Sequence, residues 1–278
     1  MIGFPLTHSI SPQFQQAAYD HLLLDVRYAA YETPPDRIGD FMREMRGGGW
    51  LGCNVTIPHK RAAFEGVDEL TSEAQEIGAV NTMIVKGNKL IGHNTDAEGF
   101  MRALTDEAHF DVRDSDAVLL GAGGAALAVA VSLARGGIRS LWIANRSLGR
   151  AEALARRLRE KTQSVALPLT EDALRGPLRG ARLLVNGTSV GMSGGPAPAE
   201  LPLPATLLHS GLLVYDLVYN PARTPLLIAA QRVGARTLEG LPMLIYQGAA
   251  SFERWTGQPA PIQVMMEAGR RALAARAH

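Results

Sequence analysis

The chain has 278 residues, 46% of them hydrophobic and 20% charged, which is a globular composition too apolar for disorder. Its 28 basic and 27 acidic side chains leave a formal net charge of +1, excluding a bulk positive field for nucleic acid or anionic lipid. The single cysteine, Cys53, cannot close an internal disulfide, and no basic-then-apolar leader opens the chain, so the expectation is a soluble cytoplasmic protein. At roughly 150 residues per domain the length suggests two domains.

In chain order, Ser11-Pro12 marks a helix start, with Ser11 as the expected cap, and the helix should run to about Leu23. A strand over Arg27–Glu32 and a helix over Asp36–Met45 precede the break at Gly47-Gly48-Gly49. Leu51–Ile57 reads as a strand, Leu70–Ile77 as a helix, and Val80–Val85 with Leu90–Gly92 as a hairpin about a Gly87-Asn88 turn. A helix from Asp96 to about Glu107 should bridge two domains. Beyond it, strands at Asp116–Leu120, Ser140–Ala144, Arg182–Val185 and Leu212–Leu217 alternate with helices at Ala125–Arg135, Leu148–Lys161 and Thr224–Val233. The proline-rich stretch Pro196–Pro204 is a loop, and helices at Leu241–Trp255 and Pro261–Arg276 should return to the first domain. Such alternation predicts an α/β protein with mainly parallel sheets, divided as 1–97 plus 241–278 and 98–240.

The uncharged run Ala117–Ala134 reaches membrane length, but Gly121, Gly123 and Gly124 near its start make it a strand, a tight turn and a helix. That arrangement, continued by Ala122, Ala125 and Ala126, places a pyrophosphate on backbone N–H groups at a helix start. A glycine turn can also serve close packing alone. The next strand ends at Ala144, where an NAD site would carry a carboxylate for the ribose hydroxyls. Here the chain reads Asn145-Arg146-Ser147-Leu148-Gly149-Arg150. Guanidinium groups attract the 2′-phosphate that a carboxylate would repel, so NADP is the expected cofactor. Charge agrees: residues 1–97 hold 8 basic and 12 acidic side chains and residues 98–278 hold 20 and 15, with seven basic against two acidic within 139–162. Arg146 and Arg150, four residues apart, should converge beyond the strand end, with Ser147 capping the helix there.

In the first part of the chain, polar residues stand in otherwise apolar segments: Ser9, Ser11, Asn54, Thr56, Lys60, Asn81, Asn94, Thr95 and Asp96. Asn54 and Thr56, two apart on a strand, should share a face. The set suits a small substrate with hydroxyls and a carboxylate, with Lys60 able to exchange a proton and Asp96 able to hold it. Caps, turns and an exposed lysine are the plainer alternative. His8, His59 and His93 match no ligand spacing, so no metal is expected.

Nine blocks in order then identify the chain as similar to the shikimate dehydrogenase family. They are Gly3–Pro12, Asn54–Lys60 (NVTIPHK), Gly78–Thr82, Asn94–Asp96, Gly121–Ala125, Asn145–Ser147, Asn186–Met192, Tyr215–Tyr219 and Gly240–Gln247. The resemblance implies a two-domain enzyme with a Rossmann-like cofactor domain and an active site in the cleft. It also implies NADPH-dependent reduction of 3-dehydroshikimate to shikimate, in aromatic amino-acid and chorismate biosynthesis. By that resemblance Lys60 and Asp96 form the catalytic pair and Ser9 and Ser11 take the substrate carboxylate. Asn54, Thr56, Asn81, Tyr219 and Gln247 would complete the substrate pocket. The cofactor would meet Gly121, Ala122, Gly123, Gly124, Ala125, Asn145, Arg146, Ser147, Arg150, Leu217 and Gly240. The family pattern differs at Ala97 and Pro242, where glycine is usual, and at Ala126 and Leu127, where a polar residue often stands. Only Met1 and Ile2 precede Gly3, so a clipped first strand is expected. An NAD-preferring quinate/shikimate dehydrogenase and a non-catalytic dinucleotide-binding regulator are the alternatives. The small molecule is the only partner expected, of a monomer or homodimer.

Overall fold

A computed structural model describes residues 1–7 and 9–276. The chain divides into two compact units, residues 1–99 with 245–276 and residues 100–244.

In the first unit β1 (Ile2–Gly3) pairs in parallel with β2 (Tyr31–Glu32), with α1 (Ser11–His21) between them in sequence. The expected strand from Arg27 shrinks to two residues because a strand needs a ladder partner, and β1 offers only Ile2 and Gly3. Ser11 is not the cap of α1 but its first residue, after Ile10; the first-turn N–H of Ser11 donates instead to Ser9 Oγ at 3.3 Å. A 3₁₀ turn over Pro35–Arg37 delays α2 to Ile38–Arg46. Next come β3 (Gly52–Asn54), α3 (Lys60–Gly66), β4 (Glu69–Leu70), α4 (Ser72–Ile77), β5 (Thr82–Lys86) and β6 (Lys89–His93). These strands form a sheet in the order β3-β5-β6-β4, antiparallel except where β4 meets β6. Its register sets Asn54 opposite Thr82 and Thr82 opposite His93, one polar row across three strands. An apolar cluster including Met42, Met45, Val55, Val80, Met83 and Leu90 packs this unit.

Helix α5 (Asp96–Arg102) leads into a π-helical turn over Ala103–Glu107 and then the second unit. There β7 (Asp116–Leu120), α6 (Gly124–Arg135), β8 (Ser140–Asn145), α7 (Leu148–Leu158), β9 (Gln163–Pro168), α8 (Glu171–Gly180), β10 (Leu183–Asn186), β11 (Leu213–Asp216), α9 (Pro225–Arg232) and β12 (Arg236–Leu238) follow. All six strands are parallel, in the order β12-β11-β10-β7-β8-β9. Leu119 on one face of β7 and Val118 and Leu120 on the other are fully buried, as expected of a parallel sheet covered on both sides. The strand order reverses between β7 and β10, the position where ligands of open α/β sheets collect at the carboxyl ends. Register aligns Leu120 with Ala144 and Asn186, and Asn186 with Asp216, so Gly121, Asn145, Asn186 and Asp216 reach one edge. Thr224 caps α9 by accepting from Leu227 N at 3.2 Å. The chain ends in α10 (Leu241–Thr256) and α11 (Ile262–Ala274). Among the described residues no helix is long and apolar enough to cross a membrane.

His93, buried beside Thr71 with Nδ1 2.8 Å from Thr71 Oγ1, has its pKa pushed down to about 4. Burial is the main cause, reinforced by Arg254 and opposed by Glu73. An unfolded histidine titrates near 6.5, so between about pH 6.5 and 4 the unfolded state binds the extra proton and stability falls as pH falls. At about 1.4 kcal/mol per pH unit, His93 should remove about 3 kcal/mol of unfolding free energy between pH 7 and 4. Urea unfolding of a His93→Asn variant should show a pH dependence shallower by that amount, and parallel curves would rule the assignment out.

Candidate active site

Two helix starts in the first unit carry its opposite charges. Lys60 is the first residue of α3 and Asp96 the first of α5, and Lys60 Nζ lies 2.6 Å from Asp96 Oδ2. An acid at the head of a helix is favoured by the exposed N–H groups there, and Asp96 N itself donates to Asn94 Oδ1 at 3.0 Å. The two side chains are 18% and 9% exposed, so the pair sits in a largely dry site that still opens to solvent. Asn81 Nδ2 donates to the other carboxylate oxygen, Asp96 Oδ1, at 2.7 Å and also lies 3.3 Å from Gln247 Oε1. Asn81 Oδ1 in turn accepts from Thr95 N at 2.8 Å. Lys60, Asp96, Asn81 and Gln247, separated by up to 187 positions in the sequence, thus form one connected set.

Behind them a row of buried hydroxyls and amides continues to Ser251. Ser251 Oγ lies 2.9 Å from Thr82 Oγ1, accepts from Asn54 Nδ2 at 2.9 Å, and donates to Gln247 O at 3.0 Å. Ser251 is not among the residues expected from sequence; the available signal is its i+4 spacing from Gln247 on an apolar helix. Asn54 uses both ends of its amide internally, since Oδ1 accepts from Tyr28 Oη at 2.8 Å. It ends β3, while Thr56 lies beyond the strand, so the two do not share a strand face. Among the described residues no hydrogen bond links Ser9, Ser11 or Thr56 to the Lys60–Asp96 pair. Ser9 Oγ donates to Met1 Sδ at 3.1 Å, and Ser11 is buried. His59 contacts Thr33 O at 2.6 Å, and His8 lies outside the described residues.

The second unit carries the residues expected to meet a nucleotide. Gly121 has φ +104°, and a Cβ there would stand 3.0 Å from Gly187 O, so the turn after β7 requires glycine. A Cβ at Gly123, by contrast, would meet nothing within 4 Å, so the turn opens on free space. Gly123 caps the twelve-residue α6 without a side-chain hydrogen bond, leaving the N–H groups of its first turn available to an anion. Ala122 and Ala125 complete this turn. Ser147 occupies the cap position of α7 but makes no side-chain capping bond; Asn145 Nδ2 donates to its carbonyl at 2.9 Å instead. Arg146 and Arg150 are exposed, and among the described residues no ion pair or hydrogen bond engages either guanidinium. Gly240 packs on Leu217, whose carbonyl would collide with any Cβ at that position. Tyr219, half-buried, lies two residues after Leu217. Open N–H groups, a glycine cradle and two arginines without partners among the described residues fit a phosphorylated dinucleotide.

A parallel sheet with a glycine turn at its reversal point in one unit, and a partly buried lysine–carboxylate pair in the other, define a nucleotide-dependent α/β oxidoreductase. Family models agree: the shikimate dehydrogenase substrate binding domain matches residues 1–83, shikimate / quinate 5-dehydrogenase matches 103–185, and the shikimate 5′-dehydrogenase C-terminal domain matches 240–268. A shikimate dehydrogenase (NADP(+)) of Methanopyrus kandleri is 48% identical over 271 residues, spanning 96% of this chain and 93% of the relative. The crystal structure of shikimate 5-dehydrogenase from Thermus thermophilus in complex with NADP(H) and shikimate has 40% identity and a TM-score of 0.87, covering 98% of each chain. Quinate dehydrogenase from Corynebacterium glutamicum in complex with NAD is 28% identical at a TM-score of 0.88, covering 97% of each. The chain belongs to the shikimate dehydrogenase family.

Because Asn54 bonds Tyr28, Thr82 and Ser251 in the buried row, Asn54→Ala should leave several polar atoms unsatisfied. A loss of about 2–4 kcal/mol in unfolding free energy is expected, read by denaturant titration. Unchanged stability with only a raised substrate KM would mean that Asn54 contacts substrate instead.

Proposed function

We propose that the protein is an NADP-dependent oxidoreductase that interconverts 3-dehydroshikimate and shikimate, the reductive direction serving aromatic amino-acid biosynthesis. The observation that carries this reading is the 2.6 Å contact between Lys60 Nζ and Asp96 Oδ2, with Asn81 on the second carboxylate oxygen. Identity of 40–48% to relatives named as NADP(+) shikimate dehydrogenases supports the substrate and the cofactor. When bound, NADPH supplies the hydride that reduces the substrate's C3 carbonyl carbon. Lys60 Nζ donates a proton to the carbonyl oxygen as it becomes the hydroxyl, and takes one back in the reverse direction. Asp96 keeps the ammonium in place, and Asn81 keeps Asp96 from turning.

We assign substrate to the unit that contains Lys60 and nucleotide to the unit that contains the glycine turn. Ser9 and Ser11 take the substrate carboxylate, and Asn81, Asp96 and Gln247 its hydroxyls, with Thr56 completing the set and Asn54 held in the buried row behind it. Gly121–Ala125 receive the pyrophosphate on backbone N–H groups; Asn145, Arg146, Ser147 and Arg150 take the adenosine 2′-phosphate, and Leu217 and Gly240 border the nicotinamide. A basic 145–150 stretch without a carboxylate favours NADP over the NAD preference of a quinate-type enzyme. The setting is the cytoplasm, supported by Cys53 as a buried free thiol, and the protein acts as a monomer or homodimer.

Assay of shikimate oxidation with NADP at 340 nm tests the proposal, and no turnover with any ring hydroxy acid would leave a binding protein instead. Lys60→Ala should lower kcat by about 10²–10⁴ with substrate KM changed only a few-fold, whereas a loss confined to KM would make Lys60 a binding residue. Arg146→Ala combined with Arg150→Ala should raise KM for NADP by about a hundredfold, from roughly 1.5 kcal/mol per exposed charge-assisted contact. The weak NAD activity should stay nearly constant in that variant. An equal fall in both activities would mean that the arginines support the fold.

A further inference from the structure

Asn186 and Asp216 end adjacent strands β10 and β11 in register, and both are completely buried. Asn186 Nδ2 donates to Asp216 Oδ1 at 2.9 Å. The same carboxylate accepts from Val218 N at 3.1 Å and from Thr224 Oγ1 at 2.6 Å, so three donors from three segments meet on it. Burial pushes the Asp216 carboxyl up and its three donors pull it back.

The other end of the Asn186 amide faces the loop that follows β10. Asn186 Oδ1 accepts from Thr188 N at 3.1 Å and from Thr188 Oγ1 at 2.7 Å, and Thr188 Oγ1 accepts from Val190 N at 3.2 Å. This loop walls the glycine turn: Gly187 O and Thr188 Cγ2 stand 3.0 and 3.2 Å from the place a Cβ of Gly121 would take. Val218, the residue held by Asp216, follows Leu217, whose carbonyl closes against Gly240. Two leucines could fill the same volume, but they would leave the N–H groups of Thr188 and Val218 without acceptors and both loops free to move.

We propose that Asn186 and Asp216 are positioning residues of the nucleotide site, holding the 187–190 and 217–218 loops against the glycine turn without touching the nucleotide. This rests on the nucleotide reading above. Nucleotide affinity then depends on a hydrogen bond buried behind the site, and chemistry at Lys60 does not.

Direct calorimetric titration with NADP+, beside circular dichroism and steady-state kinetics, tests it. Asn186→Asp sets two carboxylates against each other and should weaken NADP+ binding at least about tenfold. The variant should remain folded, with kcat at saturating NADP and KM for shikimate within about threefold of wild type. Adding Asp216→Asn removes the repulsion but turns an N–H toward Val218 N, so the double variant should recover only part of the lost affinity. If Asn186→Asp does not fold, Asn186→Ser removes the bond without adding charge and should weaken binding in the same direction. Equal NADP+ affinity in wild type and in both single variants at Asn186 would overturn the proposal alone. A wild-type protein that binds no NADP+ would overturn the nucleotide reading and this proposal with it.

Discussion

An ammonium and a carboxylate 2.6 Å apart and mostly out of water are tolerable only if their remaining lone pairs and protons are satisfied. Much of the first unit follows from that requirement at Lys60 and Asp96. One carboxylate oxygen takes Lys60 and the other takes Asn81; Asn81 then needs Thr95, and the hydroxyls of Thr82 and Ser251 need each other and Asn54. The row ends at the Tyr28 hydroxyl, where the chain again reaches partly exposed side chains. A pair placed this way is rigid because moving either member breaks several bonds at once.

The second unit meets a different constraint, that of leaving backbone bare at the edge of a sheet. Parallel strands in register deliver every carboxyl end to one edge, so one turn there can be bare glycine while its neighbours supply the walls. Helix α6 begins on that turn without a capping side chain, which leaves its N–H groups for a ligand. The polar residues at the ends of β10 and β11 are completely buried and spend their hydrogen bonds on each other and on the segments that follow them. In both units, side chains with no access to solvent set the positions of those that have it.

Some of this is legible in the sequence for simple reasons. Strand β7 can be read to the residue because a fully buried parallel strand is an unbroken apolar run ended by glycine. Lys60, Asp96 and Asn81 stand out as polar residues in apolar surroundings. Strand β9 escapes such a reading because its burial is partial along its length, and α8 because Gly176 and Pro177 interrupt its pattern. Helix α3 escapes it because it is only seven residues long and follows a proline turn. Ser251 gives no more signal than any serine in an amphipathic helix.

By itself the sequence determined the alternation of elements, the glycine turn, the absence of a carboxylate after β8 and the family, since these depend on local residue type and on motif order along the chain. Tertiary structure alone decided which polar residues are spent on one another. Asn54 and Thr56 are two positions apart, yet Asn54 is consumed by partners 26, 28 and 197 positions away. The Asn186–Asp216 pair forms only because the sheet sets two strands 30 residues apart side by side in register. A hydrogen bond depends on distances of a few tenths of an ångström between groups remote in sequence, and neither periodicity nor spacing along a chain encodes that distance.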